Sequence, residues 1–161
     1  MRALLYLLLA FTLFSCGSKP DVLKPIMGEG NAHFRGISIG DNYEKVLKRA
    51  AKDNPISTEV GVLNCEFQVE ESELSVSYEF DQEKLYAIQA DIFFADSVSL
   101  NTFEKTLVIQ YNTNYGEVDL DGGFLVWQSH DSDTEVEFTL ADESIEFGQP
   151  MLSLTIYNFG N

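Results

Sequence analysis

Two cysteines and two histidines are the scarcest reactive side chains in this 161-residue chain, at Cys16, Cys65, His33 and His130. A serine or cysteine nucleophile needs a base within hydrogen-bond reach, and that base needs a third group to orient it. Neither histidine has such a partner nearby in sequence, and the chain contains no G-x-S-x-G elbow or Cys–His signature. It has no glycine-rich phosphate loop, and no C-x-x-C or H-E-x-x-H that would suit zinc. Asp119-Leu120-Asp121-Gly122 opens like a calcium loop but lacks the third ligand and the distal glutamate. His130-Asp131-Ser132-Asp133 has no further frame, and Asp and Gly in turns need no metal to explain them. We therefore expect no catalytic residues, no metal and no cofactor. Cys65 falls on the apolar side of the alternating stretch Leu63–Val69, with no His, Lys or Arg nearby to lower its pKa. That setting predicts a buried, inert thiol.

Cys16 has a different setting. Met1-Arg2 is followed by an apolar run from Ala3 to Phe14, the layout of a secretory signal. The run is shorter than the roughly 20 residues a spanning helix needs. It ends in Leu13-Phe14-Ser15-Cys16, followed by Gly17-Ser18. This end resembles a bacterial lipobox, with Leu at −3, a small residue at −1 and the cysteine that is acylated. Phe14 at −2 is bulkier than the usual Ala or Ser. The resemblance implies a signal peptide over 1–15 and a lipoprotein whose mature N-terminus is Cys16, acylated with palmitate-type chains. Each buried CH₂ contributes about 0.8 kcal/mol and one chain binds only marginally, so several chains would make attachment permanent. Gly17 rather than Asp follows the cysteine, which by the same resemblance places the protein in the outer membrane of the cell envelope. The plainer alternative is an ordinary secretory signal with Cys16 incidental. An acylated Cys16 leaves Cys65 without a disulfide partner in the chain.

Charge narrows the partners. Removal of residues 1–15 takes Arg2 and leaves 9 basic against 26 acidic side chains, a formal −17. No Lys or Arg follows Lys105, while acids continue from Glu117 to Glu146. Such a field repels nucleic acid and anionic headgroups and attracts a basic protein. Solubility charge on a secreted domain is the simpler account. At 45% hydrophobic, with aromatics throughout, the chain can bury a core.

Residues 16–33 hold Gly17, Ser18, Pro20, Pro25, Gly28 and Gly30 without apolar periodicity and read as a flexible tether. A single domain over 34–161 follows. Phe34 to Ile39 reads as a short strand. Asp41 with Glu44 suggests a capping box. The helix it opens carries Tyr43, Val46, Leu47 and Ala50 on one face and Lys45, Lys48, Arg49 and Lys52 on the other, until Asn54-Pro55 stops it. That basic stripe reads as a solvated helix face before a binding stripe. Three strands alternate next, Leu63–Val69, Leu74–Phe80 and Leu85–Phe94, the last with Tyr86, Ile88, Ala90, Ile92 and Phe94 on its apolar side, and with a hairpin turn at Asp81–Lys84. Asn101 and Glu104 open a second helix, Gly116–Gly123 reads as a loop, and strands follow at 124–129, 134–140 and 151–157. Shifted by 60 positions, Asp41, Tyr43, Glu44, Lys45 and Leu47 fall on Asn101, Phe103, Glu104, Lys105 and Leu107. The fold class is therefore α+β, two tandem αβββ units (about 35–95 and 98–159) forming an antiparallel sheet with helices on one face.

Gly36-Ile37-Ser38-Ile39-Gly40 before Asp41 resembles the opening of SmpA/OmlA-type outer-membrane lipoproteins. The tandem arrangement resembles β-lactamase-inhibitor-protein-like modules. The topological likeness covers 35–158 and the motif about ten residues. Such modules bind proteins and are not enzymes, so the resemblance carries no catalytic residue across.

With helices over the face of Cys65, Phe67, Tyr78 and Phe138, strand parity leaves Glu66, Glu79, Asp91, Glu135 and Glu137 on the other. Trp127, Phe93 and Tyr157 are assigned beside them. Acids interleaved with aromatics suit capture of a basic protein patch. The simpler reading buries Trp127 and its neighbours against other parts of the chain. The expected function is a non-enzymatic protein-binding lipoprotein: an inhibitor, an immunity protein or an accessory of envelope assembly. The alternatives are a small envelope hydrolase or ligand carrier, which a deep pocket near His130 would favour, and a structural surface protein without a specific ligand.

Overall fold

In the computed structural model, residues 21–30, 32–131 and 134–160 are described. The lipobox-like segment and Ser132-Asp133 lie outside them. Eight strands form one antiparallel sheet in the order β1-β2-β3-β4-β8-β7-β6-β5. They are β1 Pro55–Glu59, β2 Val62–Val69, β3 Ser72–Asp81, β4 Lys84–Phe93, β5 Asp119–Asp121, β6 Phe124–Asp131, β7 Thr134–Asp142 and β8 Met151–Asn158. The helices are α1 Lys24–Met27, α2 Tyr43–Ala50 with a 3₁₀ turn at Ala51–Asp53, α3 Ser97–Tyr115 and α4 Ser144–Phe147. The α+β class and the antiparallel sheet are as expected. The sheet has eight strands rather than the six expected, because β1 follows Asn54 directly and β5 lies within the expected Gly116–Gly123 loop.

Alternation sorts the side chains. Leu63, Cys65, Leu74, Val76, Tyr78, Ile88, Ala90, Ile92, Leu152, Leu154, Ile156, Val136, Phe138 and Leu140 are buried on one face. α2 and α3 cover that face through Val46, Ala50, Leu100, Phe103, Leu107 and Tyr111. A bulge at Glu79/Phe80 shifts the phase of the β3–β4 pair. Leu85 is buried as a result, and Tyr86, expected on the apolar side, is exposed. The β3–β4 hairpin turns through Gln82 and Glu83, both at positive φ, the two-residue I′ geometry.

Four local expectations are corrected. The tether does not run to residue 33: Leu23, Ile26 and Met27 are core residues. Their i, i+3, i+4 spacing makes one apolar face, which Pro25 and the glycines mask in a composition reading. Phe34–Ile39 is no strand but a tight reversal with a single bridge between Phe34 and Ile37. Positive φ at Arg35 and Gly36 makes that reversal. α2 is capped by Asn42, whose side chain accepts from the Lys45 amide, while the Asp41 carboxylate accepts from the Ser38 amide. α3 begins one turn early, capped by Asp96 through the Ser99 amide; Asn101 lies inside the helix and donates back to the Ser97 carbonyl.

Candidate functional site

The register builds the uncovered face of the sheet row by row. Glu66 lies opposite Ser75, Ser75 opposite Asp91, and Asp91 opposite Ser153. Glu79 lies opposite Ala87, Ala87 opposite Tyr157, Tyr157 opposite Glu137, and Glu137 opposite Gln128. Glu73 lies opposite Phe93. By alternation Glu135 shares the face of Glu137. The structure thus brings Glu66, Glu79, Asp91, Phe93, Glu135, Glu137 and Tyr157 onto one face.

Trp127 is not with them. It lies opposite Phe138 and is 2% exposed. Its ring meets Tyr111 of α3 edge-on at 5.2 Å, and its indole Nε1–H donates to Asn112 Oδ1 at 2.7 Å. The assignment of Trp127 to the open face is therefore corrected: it sits in the core beneath α3. β6 has Gln128, not Trp127, on the side of Glu137, and a large ring gains far more beneath a helix than on a wet face.

Four carboxylates of the open face are held by neutral donors. Tyr86 donates to Glu79, Tyr157 and Gln128 to Glu137, Gln68 to Glu73, and Ser153 to Asp91. The bond to Glu137, then burial, pushes the Tyr157 phenol up to about 12. Neutral donors orient an acid without cancelling its charge. Among the described residues of β2–β8 the only Lys or Arg is Lys84, at the tip of the β3–β4 hairpin. The ion pairs Lys24–Glu29, Arg35–Asp53 and Lys45–Asp41 all lie outside these strands.

At one end of the face a groove of about 410 Å³ is lined by Glu66, Phe67, Gln68, Glu73, Leu74, Ser75 and Phe93. The α4 connection closes over this end, where Phe147 meets Phe93 at 6.0 Å between ring centroids. Glu73, Gln68 and Phe147 were not singled out from the sequence. Parity with Glu66 and Glu79 would have found the first two, whereas Phe147 lies in a connection whose path carries no periodic signal.

The other chemically notable residues are scattered. Cys65 is buried, and desolvation, followed by the nearby Asp53 charge, pushes its thiol up to about 11. His33 packs edge-on against Phe138, and its Nδ1 accepts the Ile39 amide at 3.1 Å. Burial lowers its pKa, opposed by Asp41. His130 lies within β6 rather than in a turn. Asp119 and Asp121 are exposed on the short edge strand β5. Among the described residues no three His, Cys, Asp or Glu side chains converge as a metal site would require. No described helix is long and apolar enough to cross a membrane. Comparison with protein-family models, with curated proteins and with solved structures finds no match to this chain.

Proposed function

We propose that the chain is a lipid-anchored protein of the cell envelope that captures a basic protein partner on the open face of its sheet, without catalysing a reaction. The observation that carries this reading is the groove that joins Glu66 and Glu73 to the Phe93 ring on a face whose strands hold almost no cation. A partner's Lys or Arg suits it: the charged end meets the carboxylates, and the aliphatic stem or guanidinium plane lies on the ring. The acidic field steers such a partner and excludes nucleic acid. An inhibitor or immunity protein fits this description, as does an accessory subunit of envelope assembly. The lipid on Cys16 and placement in the outer membrane rest on Leu13-Phe14-Ser15-Cys16-Gly17.

The two halves read as a duplication. Each runs a helix and then a four-strand meander, and the last strands, β4 and β8, pair antiparallel at the centre. An approximate two-fold axis normal to the sheet relates such halves and keeps both helices on one face.

The test places a photo-crosslinking residue at Phe93 in intact cells. One dominant adduct is expected, and it should vanish when Glu66 and Glu73 are both changed to Lys. No adduct, or one indifferent to charge reversal, defeats the binding reading. Separately, Cys16→Ala should release the protein into the soluble fraction; retention in the membrane defeats the anchor.

A second cavity favours the ligand-carrier reading. It measures about 440 Å³ and lies between the 27–33 segment and the end of α3, with His33, Tyr111 and Tyr115 in its wall. The buried Tyr111 hydroxyl has no hydrogen-bond partner. A small molecule that co-purifies, visible by native mass spectrometry and lost in Tyr111→Phe, would make this the function.

A further inference from the structure

Several large apolar side chains left exposed gather at one place. Val98, Leu120, Phe124, Ile145 and Phe147 lie along one rim of the sheet. This rim is formed by the β2–β3 turn, the β4–α3 link, the β5–β6 turn and the β7–β8 connection. Leu120 is 78% exposed, Val98 74% and Ile145 100%. Scattered exposed apolar residues need no explanation, but a row of them along one rim marks a contact surface.

The chain enters the domain at this same rim. Val22 lines a groove of about 400 Å³ with Glu70, Glu71, Phe94 and Val98. Leu23, Ile26 and Met27 are packed in the core directly after it, so the entry point cannot swing away. Asp21 is five Cα steps from Cys16, a reach of at most about 18 Å. That length is short beside the domain itself.

We propose that this rim rests on the bilayer that holds the Cys16 lipid, its apolar side chains meeting the boundary between headgroups and acyl chains. The proposal rests on the lipid-anchor reading above. Glu70, Glu71, Asp96 and Glu146 share the rim, so the contact is shallow and favours zwitterionic over anionic headgroups. The sheet then stands on end, and its acidic face looks sideways into the envelope space rather than down at the membrane.

The experiment uses the mature lipidated protein in phosphatidylcholine vesicles whose acyl chains carry a bromine quencher. Ile145→Cys and Val60→Cys are each labelled with an environment-sensitive fluorophore; Val60 is fully exposed in the β1–β2 turn at the opposite rim. Cys65 stays unlabelled because it is buried. Quenching at position 145 should exceed that at 60 by about threefold. Equal, weak quenching in protein that floats with the vesicles overturns the proposal and leaves the anchor standing. Protein that does not float defeats the anchor and this proposal with it. A spectral shift at 145 that grows with protein concentration in detergent assigns the rim to a second copy of the chain, and also overturns it.

Discussion

Arg35 and Asp53 form a buried two-pronged ion pair, with Nη2 donating to Oδ1 at 2.8 Å and Nε to Oδ2 at 3.3 Å. Arg35 Nη1 also donates to the carbonyls of Pro25 and Ile26, and the guanidinium lies 4.5 Å over the centre of the Phe67 ring. One side chain thereby joins the entry segment, the end of α2 and strand β2. Its backbone approaches so closely that a Cβ at Gly28 would sit 2.7 Å from the Arg35 Cα.

Removing one partner strands the other charge in a dry site. Arg35→Met should cost about 3–5 kcal/mol in a denaturant melt. Arg35→Lys should recover only part of that loss, since an ammonium cannot reproduce the fork or the stacking. A loss below about 1 kcal/mol for Arg35→Met would mean that the pair contributes little.

Trp127→Ala should lower stability by about 3–5 kcal/mol through the cavity it leaves under α3. Trp127→Phe should cost less, losing mainly the bond to Asn112. Partner capture by the folded Trp127→Phe protein should match that of the parent, measured as crosslinking yield at position 93. A selective loss of capture with intact stability would return Trp127 to the binding surface.

Stability should fall as the pH drops below the ordinary histidine value of 6.5, because the half-buried His33 resists protonation. Its pKa is lowered in the folded state, so the unfolded chain binds the proton first and stability rises with pH across that window. Protonation would also end the acceptor role of Nδ1 toward Ile39. His33→Asn keeps an acceptor at a similar reach and does not titrate, so chemical melts between pH 5 and 7.5 should show a flatter slope. An unchanged slope would rule His33 out as its source.

Glu66→Lys with Glu73→Lys should weaken capture of a basic partner at least about tenfold, and added salt should weaken the parent's capture in the same direction. The double variant should melt near the parent, since both side chains are exposed. Salt-independent capture would remove the electrostatic part of the reading.

Glu83→Gly should stabilise the domain by about 0.5–1 kcal/mol, because Glu83 holds φ +66 in the I′ turn and glycine takes that conformation without strain. The Tyr43 amide bonds the Glu83 backbone carbonyl, which the substitution keeps. A destabilised variant would show that the Glu83 side chain matters more than its backbone.

Local periodicity carried most of the sheet. Alternation at Leu63–Val69 and Leu74–Tyr78 settled which side chains face the helices, since adjacent residues of a strand must point opposite ways. The same rule put Glu66, Glu79, Asp91 and Glu137 together before any partner strand was known. It misassigned Tyr86, because the bulge that shifts the phase is a property of the β3–β4 pair and not of either strand alone. Trp127 was misassigned for a related reason: β6 has no clean alternation, and only pairing with Phe138 says which way it points.

What the sequence by itself determined is the acidic balance, the α+β class and the buried character of Cys65. Each depends on composition or on neighbours a few residues away. Only the tertiary structure decided that Leu23, Ile26 and Met27 belong to the core, that Arg35 and Asp53 meet across 18 positions, that Phe147 closes over Phe93, and that the exposed apolar residues share the rim where the chain enters. Those relations join segments far apart in the chain, and their free energy exists only once the sheet has brought the segments together.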